Sequence, residues 1–152
     1  MGSCEAYLSY VSGFPSTRNT KFTNQMAFYL FIIAILNNIT LRRQDIDIED
    51  IAHALSLLCR ANGHFKHFYS VALHSINCAY EALKRGYSSR VALGCLLHDG
   101  SEAYLTDITR PVKKHLQKYL EFEEVLQGKI FEKWIPNLTD EELKLVFEID
   151  DA

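Results

Sequence analysis

From position 45 onward, apolar residues recur at the three-to-four-residue spacing that places them on one side of an α-helix. Ile48, Ile51, Ala52, Leu55, Leu58 and Cys59 follow this spacing behind Asp47, a good N-cap residue. The pattern predicts a helix over about 48–60, ended by Asn62-Gly63. Ser70 caps a second helix that runs to about residue 85, where Lys84 and Arg85 occupy the last turn and Gly86 follows. Its apolar face takes in Val71, Ile76, Ala79 and Leu83. A third helix begins near Ser88 or Ser89 and carries Val91, Ala92, Cys95 and Leu96 inward, so it reads as central and almost wholly buried before it reaches His98-Asp99. Pro111 suits the first position of a short helix over 111–116, another covers about 118–134, and Pro136-Asn137 interrupts. Thr139 with Glu142 forms a capping box for a last helix over 140–151. No repeat, low-complexity tract or hairpin signal competes with these elements, and the expected fold class is all-α.

Composition sets the scale. With 152 residues, 48% of them hydrophobic, the chain is long enough for one core and too short for two ordinary domains. We expect residues 1–44 to be an N-terminal lead of uncertain structure and 45–152 to be a single helical domain. The apolar run MAFYLFIIAIL at 26–36 falls short of the roughly 20 residues of a membrane-spanning helix, so it reads as a buried helix or strand. The first residues lack the basic-then-apolar order of a signal peptide. Cys59, Cys78 and Cys95 lie in apolar helical patterns without any C-x-x-C pair, as expected of reduced thiols acting as small core hydrophobes. Together these features predict a cytoplasmic protein without membrane contact. A net charge of −3 excludes the broad basic footprint of duplex-binding modules, so a nucleic-acid polymer is not expected as a partner.

The chemistry starts at the end of the third helix. An apolar helix that delivers adjacent His98 and Asp99 needs something to compensate the carboxylate, because a buried Asp is costly unless paired. A metal ion would do so, and imidazole with carboxylate oxygen suits Mn²⁺, Co²⁺, Fe²⁺, Ni²⁺, Zn²⁺ or Mg²⁺. The alternative at this level is an Asp that caps a helix end beside a packed histidine.

The longer segments FYSVALHS (68–75), LLHDGSEAYLTDITRPVK (96–113) and VFEID (146–150), with IEDIAHALSLLCRANGH (48–64), resemble the HD-domain metal-dependent phosphohydrolase superfamily. The similarity is greatest to its branch that hydrolyses nucleoside 5'-monophosphates, over about residues 45–150. The resemblance implies an HD-type helical bundle. It further implies one divalent metal ion held by His74, His98, Asp99 and Asp150, which polarises a phosphoryl oxygen and lowers the pKa of a bound water. It gives Glu102 the task of orienting the attacking water or moving its proton. Asp107 would deliver a proton to the leaving oxygen or hold the sugar hydroxyl. Arg60 matches a position near the substrate phosphate, where a guanidinium fork suits phosphate geometry, and His64 would add a second donor. The implied partner is a small phosphorylated substrate, a nucleotide above all, with a homodimer left open. His53 reads as structural, and Arg110 and Lys113 as ordinary helix-start and surface charges unless the fold brings them over the cleft.

Two departures from the family pattern shape the expectations. Leu73 stands where relatives carry Glu or Gln before the metal-binding His, so a hydrogen bond supporting the site is expected to be missing. The chain ends two residues after Asp150, and a frayed last turn is expected there. Alarmone hydrolysis is disfavoured because Ala103, not Asp, follows Glu102, and two-metal chemistry because only His115 follows Asp99. The non-enzymatic alternative is an HD domain retained as a nucleotide-binding or regulatory module.

Overall fold

Local capping chemistry sets most of the helix starts. The computed structural model describes residues 46–152; the apolar run at 26–36 and the rest of the lead lie outside the described residues. Asp47 accepts from the backbone N–H groups of Glu49 and Asp50 and opens α1, Ile48–Leu57. Ser70 accepts from Leu73 N–H at the head of α2, Val71–Lys84, and Ser88 from Val91 N–H at the head of α3, Ser89–Leu97. After the His98-Asp99 turn come α4, Glu102–Leu105, and α5, Arg110–Lys113, which has Pro111 in its first turn. The long α6 spans Gln117–Trp134. Both reciprocal bonds of the Thr139-Glu142 capping box form at the start of α7, Asp140–Asp150. These elements make a single all-α domain, with no strand among the described residues. No described helix is long and apolar enough to cross a membrane.

Two expectations about α1 fail together. The helix ends at Leu57, not near 60, because the chain after it pairs back on itself: Cys59 and Ser70 form an isolated antiparallel bridge. Arg60 N–H donates to Tyr69 O at 2.8 Å and Val71 N–H to Leu58 O at 3.0 Å. Between these bonds lies a 3-10 turn, Arg60–Gly63, in which Ala61, Asn62 and Gly63 all have positive φ (52°, 53° and 78°). Two residues with a Cβ in the left-handed region cost the chain energy, and the turn they make delivers Arg60 to the centre of the molecule. Ala52, expected inside, is exposed, and Ile48 is largely so.

The inward face of α2 also differs from the one expected. Val71, Ser75, Cys78 and Ala82 are buried, whereas Ile76 and Leu83 point outward. The reason is close packing: small side chains let α2 lie near α3 and α7, and hydrophobicity alone does not report that need. On α3, Leu96 is likewise exposed, while Val91, Ala92 and Cys95 are buried as expected. A Cβ added at Gly94 of α3 would stand 2.6 Å from Val146 Cγ2 of α7, so glycine is what permits this helix contact.

The interior falls into two clusters. Ile46, Ile51, Leu55, Leu126, Ile130 and Ile135 fill one, around α1, α4 and α6. Cys78, Ala82, Val91, Ala92, Cys95, Val146 and Ile149 fill the other, around α2, α3 and α7. The helix α7 continues to Asp150, with Ile149 buried one residue before it.

Candidate metal centre

Three helices of the small-residue cluster converge on one point. His74 comes from the first half of α2, His98 and Asp99 from the turn that ends α3, and Asp150 from the last residue of α7. The His-Asp turn is clamped from α6 by a side chain the sequence did not single out. Gln127 Nε2 donates to Leu97 O at 2.8 Å and its Oε1 accepts from Ser101 N–H at 3.0 Å, which brackets residues 98–100.

The tautomer of His98 follows from its surroundings. Nδ1 lies 2.7 Å from Cys95 O, and a carbonyl only accepts, so Nδ1 carries the proton. Nε2 then points at two carboxylates, 3.2 Å from Asp99 Oδ2 and 3.3 Å from Asp150 Oδ1, yet it makes no aligned hydrogen bond among the described residues. A buried nitrogen between two anions is satisfied by a cation. The proton is the smallest one: burial opposes the imidazolium, but the close carboxylates of Asp150 and Asp99 outweigh it and hold His98 up at about 10. In turn Asp150 sits well below the usual carboxylate range despite its burial, through its hydrogen bond with His74 and the close His98 ring.

His74 meets a conflict that points the same way. Its Nε2 is 3.0 Å from Arg60 Nη2, a donor, and 2.9 Å from Asp150 Oδ1, an acceptor, and one ring nitrogen satisfies only one of them at a time. The donor chemistry therefore fits a divalent ion: two imidazole nitrogens and two carboxylates, the proportions that suit borderline to hard metals. Asp99 Oδ2, at 3.8 Å from His74 Nε2, belongs to this group. Cys78 does as well, since donor atoms of His74, Cys78, His98 and Asp150 all lie within 4.8 Å of one another. The sequence held one signal for Cys78, its position four residues after His74 on a helix.

Arg60 lies deeper in the centre than its expected place beside a phosphate. Its guanidinium reaches Asp99 Oδ2 at 3.0 Å and Asp150 Oδ1 at 3.4 Å, as well as His74. Glu102 and Asp107, the two acids of the motif, approach the same guanidinium at 3.8 Å each. Glu102 is buried, and burial, followed by the nearby Asp99 and Asp107 charges, pushes its carboxyl up to about 9. Its Oε2 has no hydrogen-bond partner among the described residues. Asp107 Oδ2 accepts from Ala61 N–H at 3.2 Å, so the strained turn is tied to the acid it faces. The residue before Asp107 is strained too: Thr106 has φ 74° and ψ 155°, a region a β-branched residue rarely enters.

A cleft of about 910 Å³ opens over these groups, lined by Arg60, His98, Asp99, Glu102, Asp107 and Asp150 among others. The fold also brings Arg110 and Lys113 to it, beyond the surface roles expected of them. Arg110 Nη2 holds Asp150 Oδ2 at 2.5 Å and its other branch pairs with Asp151. Lys113 Nζ lies 3.9 Å from Glu102 Oε1 and 2.5 Å from Glu123. His64, expected to bind substrate, is exposed at the far end of the 3-10 turn and does not line the cleft. Leu73 lies on the exposed side of α2, so a polar residue there would face solvent and not the centre. His53 is exposed on α1.

No protein-family model matches the chain. The chain is 40% identical over 94 residues to the uncharacterized protein YfdR of Escherichia coli (strain K12), a match covering 62% of this chain and 50% of that protein. It is 38% identical over 91 residues to an uncharacterized protein of Rhodobacter capsulatus, covering 57% and 46% respectively. The chain thus spans about half the length of the curated relatives it matches, and neither of them is characterized.

Proposed function

We propose that this chain is a divalent-metal-dependent phosphohydrolase of the HD type. Its substrates are nucleoside 5'-monophosphates or similarly small nucleotides, and His74, His98, Asp99 and Asp150 are its metal ligands. The observation that carries the reading is the buried His98 Nε2, aimed at the oxygens of Asp99 and Asp150 on the wall of a cleft that also holds Arg60, Arg110 and Lys113. A site that gathers carboxylates and cations in one cleft suits a dianionic phosphate approached through a metal.

When bound, the ion supplies Lewis-acid polarisation of a phosphoryl oxygen and charge stabilisation in the transition state. The chain's own residues do the rest. Arg60, which faces the cleft beside Asp99 and Asp150, would take a phosphate oxygen in its guanidinium fork. Glu102 Oε2, without a hydrogen-bond partner among the described residues, accepts the proton of the attacking water. A carboxyl kept high by its burial is well matched to proton transfer near neutral pH once a nearby cation lowers it. Asp107, fixed by Ala61 N–H, faces the same space and accepts a hydrogen bond from the sugar hydroxyl, and the proton that Glu102 has taken passes to the leaving oxygen. Gln127 keeps the His-Asp turn in place while these groups act.

The test is phosphate release from a panel of nucleoside mono-, di- and triphosphates with Mn²⁺, Co²⁺, Ni²⁺ or Mg²⁺ added in turn. Metal-dependent release from monophosphates, lost in Asp99→Ala, is the expected result. Stoichiometric metal binding with no release from any member would assign the domain to nucleotide binding or regulation instead.

A further inference from the structure

Cys78 is a small residue of the core by its burial and a metal donor by its position. It follows His74 by four residues on α2, so the two side chains rise from the same face of one helix. Its Sγ lies 3.7 Å from His74 Nε2 and 3.8 Å from Nδ1. Sulfur and nitrogen on one tetrahedral zinc-sized ion stand about 3.5 Å apart, given bond lengths of about 2.3 and 2.0 Å. The buried His98 Nε2, without a hydrogen-bond partner among the described residues, points into the same space, and Asp150 completes the set of four mutually close donors. Cys59 belongs to no such set among the described residues, nor does Cys95.

We propose that Cys78 is a soft ligand of this centre and makes its coordination depend on the metal. Thiophilic ions such as Zn²⁺ and Cd²⁺ are held by Cys78 with His74, His98 and Asp150. Hard ions such as Mn²⁺ and Mg²⁺ are held with Asp99 and leave Cys78 a thiol, because thiolate selects soft ions and carboxylate hard ones. On binding a soft ion the S–H bond breaks, a sulfur–metal bond forms and the proton leaves to solvent, so no oxidant or reductant takes part. The proposal rests on the metal-centre reading above and goes beyond it by naming which donor answers which metal.

The full chain is titrated with Cd²⁺ and, separately, with Mn²⁺, following near-ultraviolet thiolate-to-cadmium charge-transfer absorption and bound metal per chain. Wild type is expected to bind one Cd²⁺ with the band, and Cys59→Ser and Cys95→Ser to keep it. Cys78→Ser should lose the band and bind Cd²⁺ roughly tenfold or more weakly, since loss of groups merely supporting a ligand already costs that much. Its Mn²⁺ affinity should stay as in wild type. The cadmium-113 chemical shift of wild type, which reports sulfur ligation directly, replaces the variant if Cys78→Ser does not fold. One Cd²⁺ bound without a Cys78-dependent band, or with a shift typical of nitrogen and oxygen donors alone, overturns the role of Cys78 and leaves the centre standing. Failure of both ions to bind stoichiometrically overturns the centre itself, and the proposal with it.

Discussion

Around Leu126 and Ile130 the interior is built from large aliphatic side chains, whereas around Ala82 and Cys95 it is built mainly from alanine, cysteine and valine, with one isoleucine, Ile149, and a glycine. The proposed metal donors all come from helices of the second region: α2, α3 and α7. The groups proposed for chemistry, Arg60, Glu102 and Asp107, come from the short segments that pack on the first. Small side chains hold helix axes close together, and only closely spaced helices bring a His, a His-Asp pair and an Asp from three elements to one point. The large-residue region instead gives a firm floor under irregular backbone, including the left-handed turn at 61–63 and the strained Thr106. In the proposed reading, one region fixes where a cation sits, and the other positions what acts beside it.

The strongest way to break this division is to remove a donor. His98→Ala or Asp99→Ala is expected to abolish stoichiometric metal binding and phosphate release together. If atomic emission finds unchanged metal in both variants, the centre does not lie in the small-residue region. On the other side, Glu102→Gln is expected to keep the metal and lower turnover by roughly 10² to 10⁴, the usual range for a general acid or base. Turnover within about threefold of wild type would remove Glu102 from the chemistry, because no proton-transfer role fits so small a loss.

Packing changes should separate the regions by a second criterion. Ile130→Ala removes a wholly buried side chain and should cost about 2–5 kcal/mol of stability, with metal affinity of the folded molecules unchanged. Gly94→Ala should cost less, about 1–3 kcal/mol, because it overpacks α3 against Val146 instead of opening a cavity. It should nonetheless weaken metal binding, since pushing α7 outward moves Asp150 away from His98. Denaturant unfolding and metal titration of the two variants check this directly. An Ile130→Ala variant that loses metal while Gly94→Ala keeps it would reverse the assignment.

How much of this was legible in the sequence follows the same line. Capped helix starts were readable because Asp47, Ser70, Ser88 and the Thr139-Glu142 box act within a few residues of themselves. The end of α1 was not, because the Cys59–Ser70 bridge that replaces its last turn joins residues far apart in the chain. Nor was the buried face of α2, where close packing selects Ser75 and Ala82 over the more hydrophobic Ile76 and Leu83. In the site, the order His74, His98-Asp99, Asp150 could be read, and the structure brings those side chains together. The depth of Arg60 among them, the Gln127 clamp and the approach of Lys113 to Glu102 depend on packing between elements. His64 was misplaced because its spacing from Arg60 carries no direction, and the left-handed turn sends it outward.

The smallest expected effect tests where the two regions meet. Arg110, on the segment between the acids and α6, grips Asp150 Oδ2 while Oδ1 faces His74 and His98. Asp150 and Asp151 lie at the C-terminal end of α7, where negative charge opposes the helix dipole and no basic residue in the last turn offsets it. Arg110 supplies that offset from across the cleft. Its side chain is largely exposed, however, and exposed ion pairs contribute about 0–1 kcal/mol. Arg110→Gln should therefore lower the melting temperature by only a few degrees, at roughly 4–8 °C per kcal/mol for a domain of this size. Metal affinity should fall by no more than about tenfold, the lower end for losing a group that orients a ligand. Calorimetric titration with Mn²⁺ decides what the residue does. A fall in affinity larger than the stability change accounts for would mean that the chemical region helps aim the ligand. Unchanged affinity would mean that His74 and His98 aim Asp150 by themselves, and that the small-residue region is self-sufficient in holding its metal.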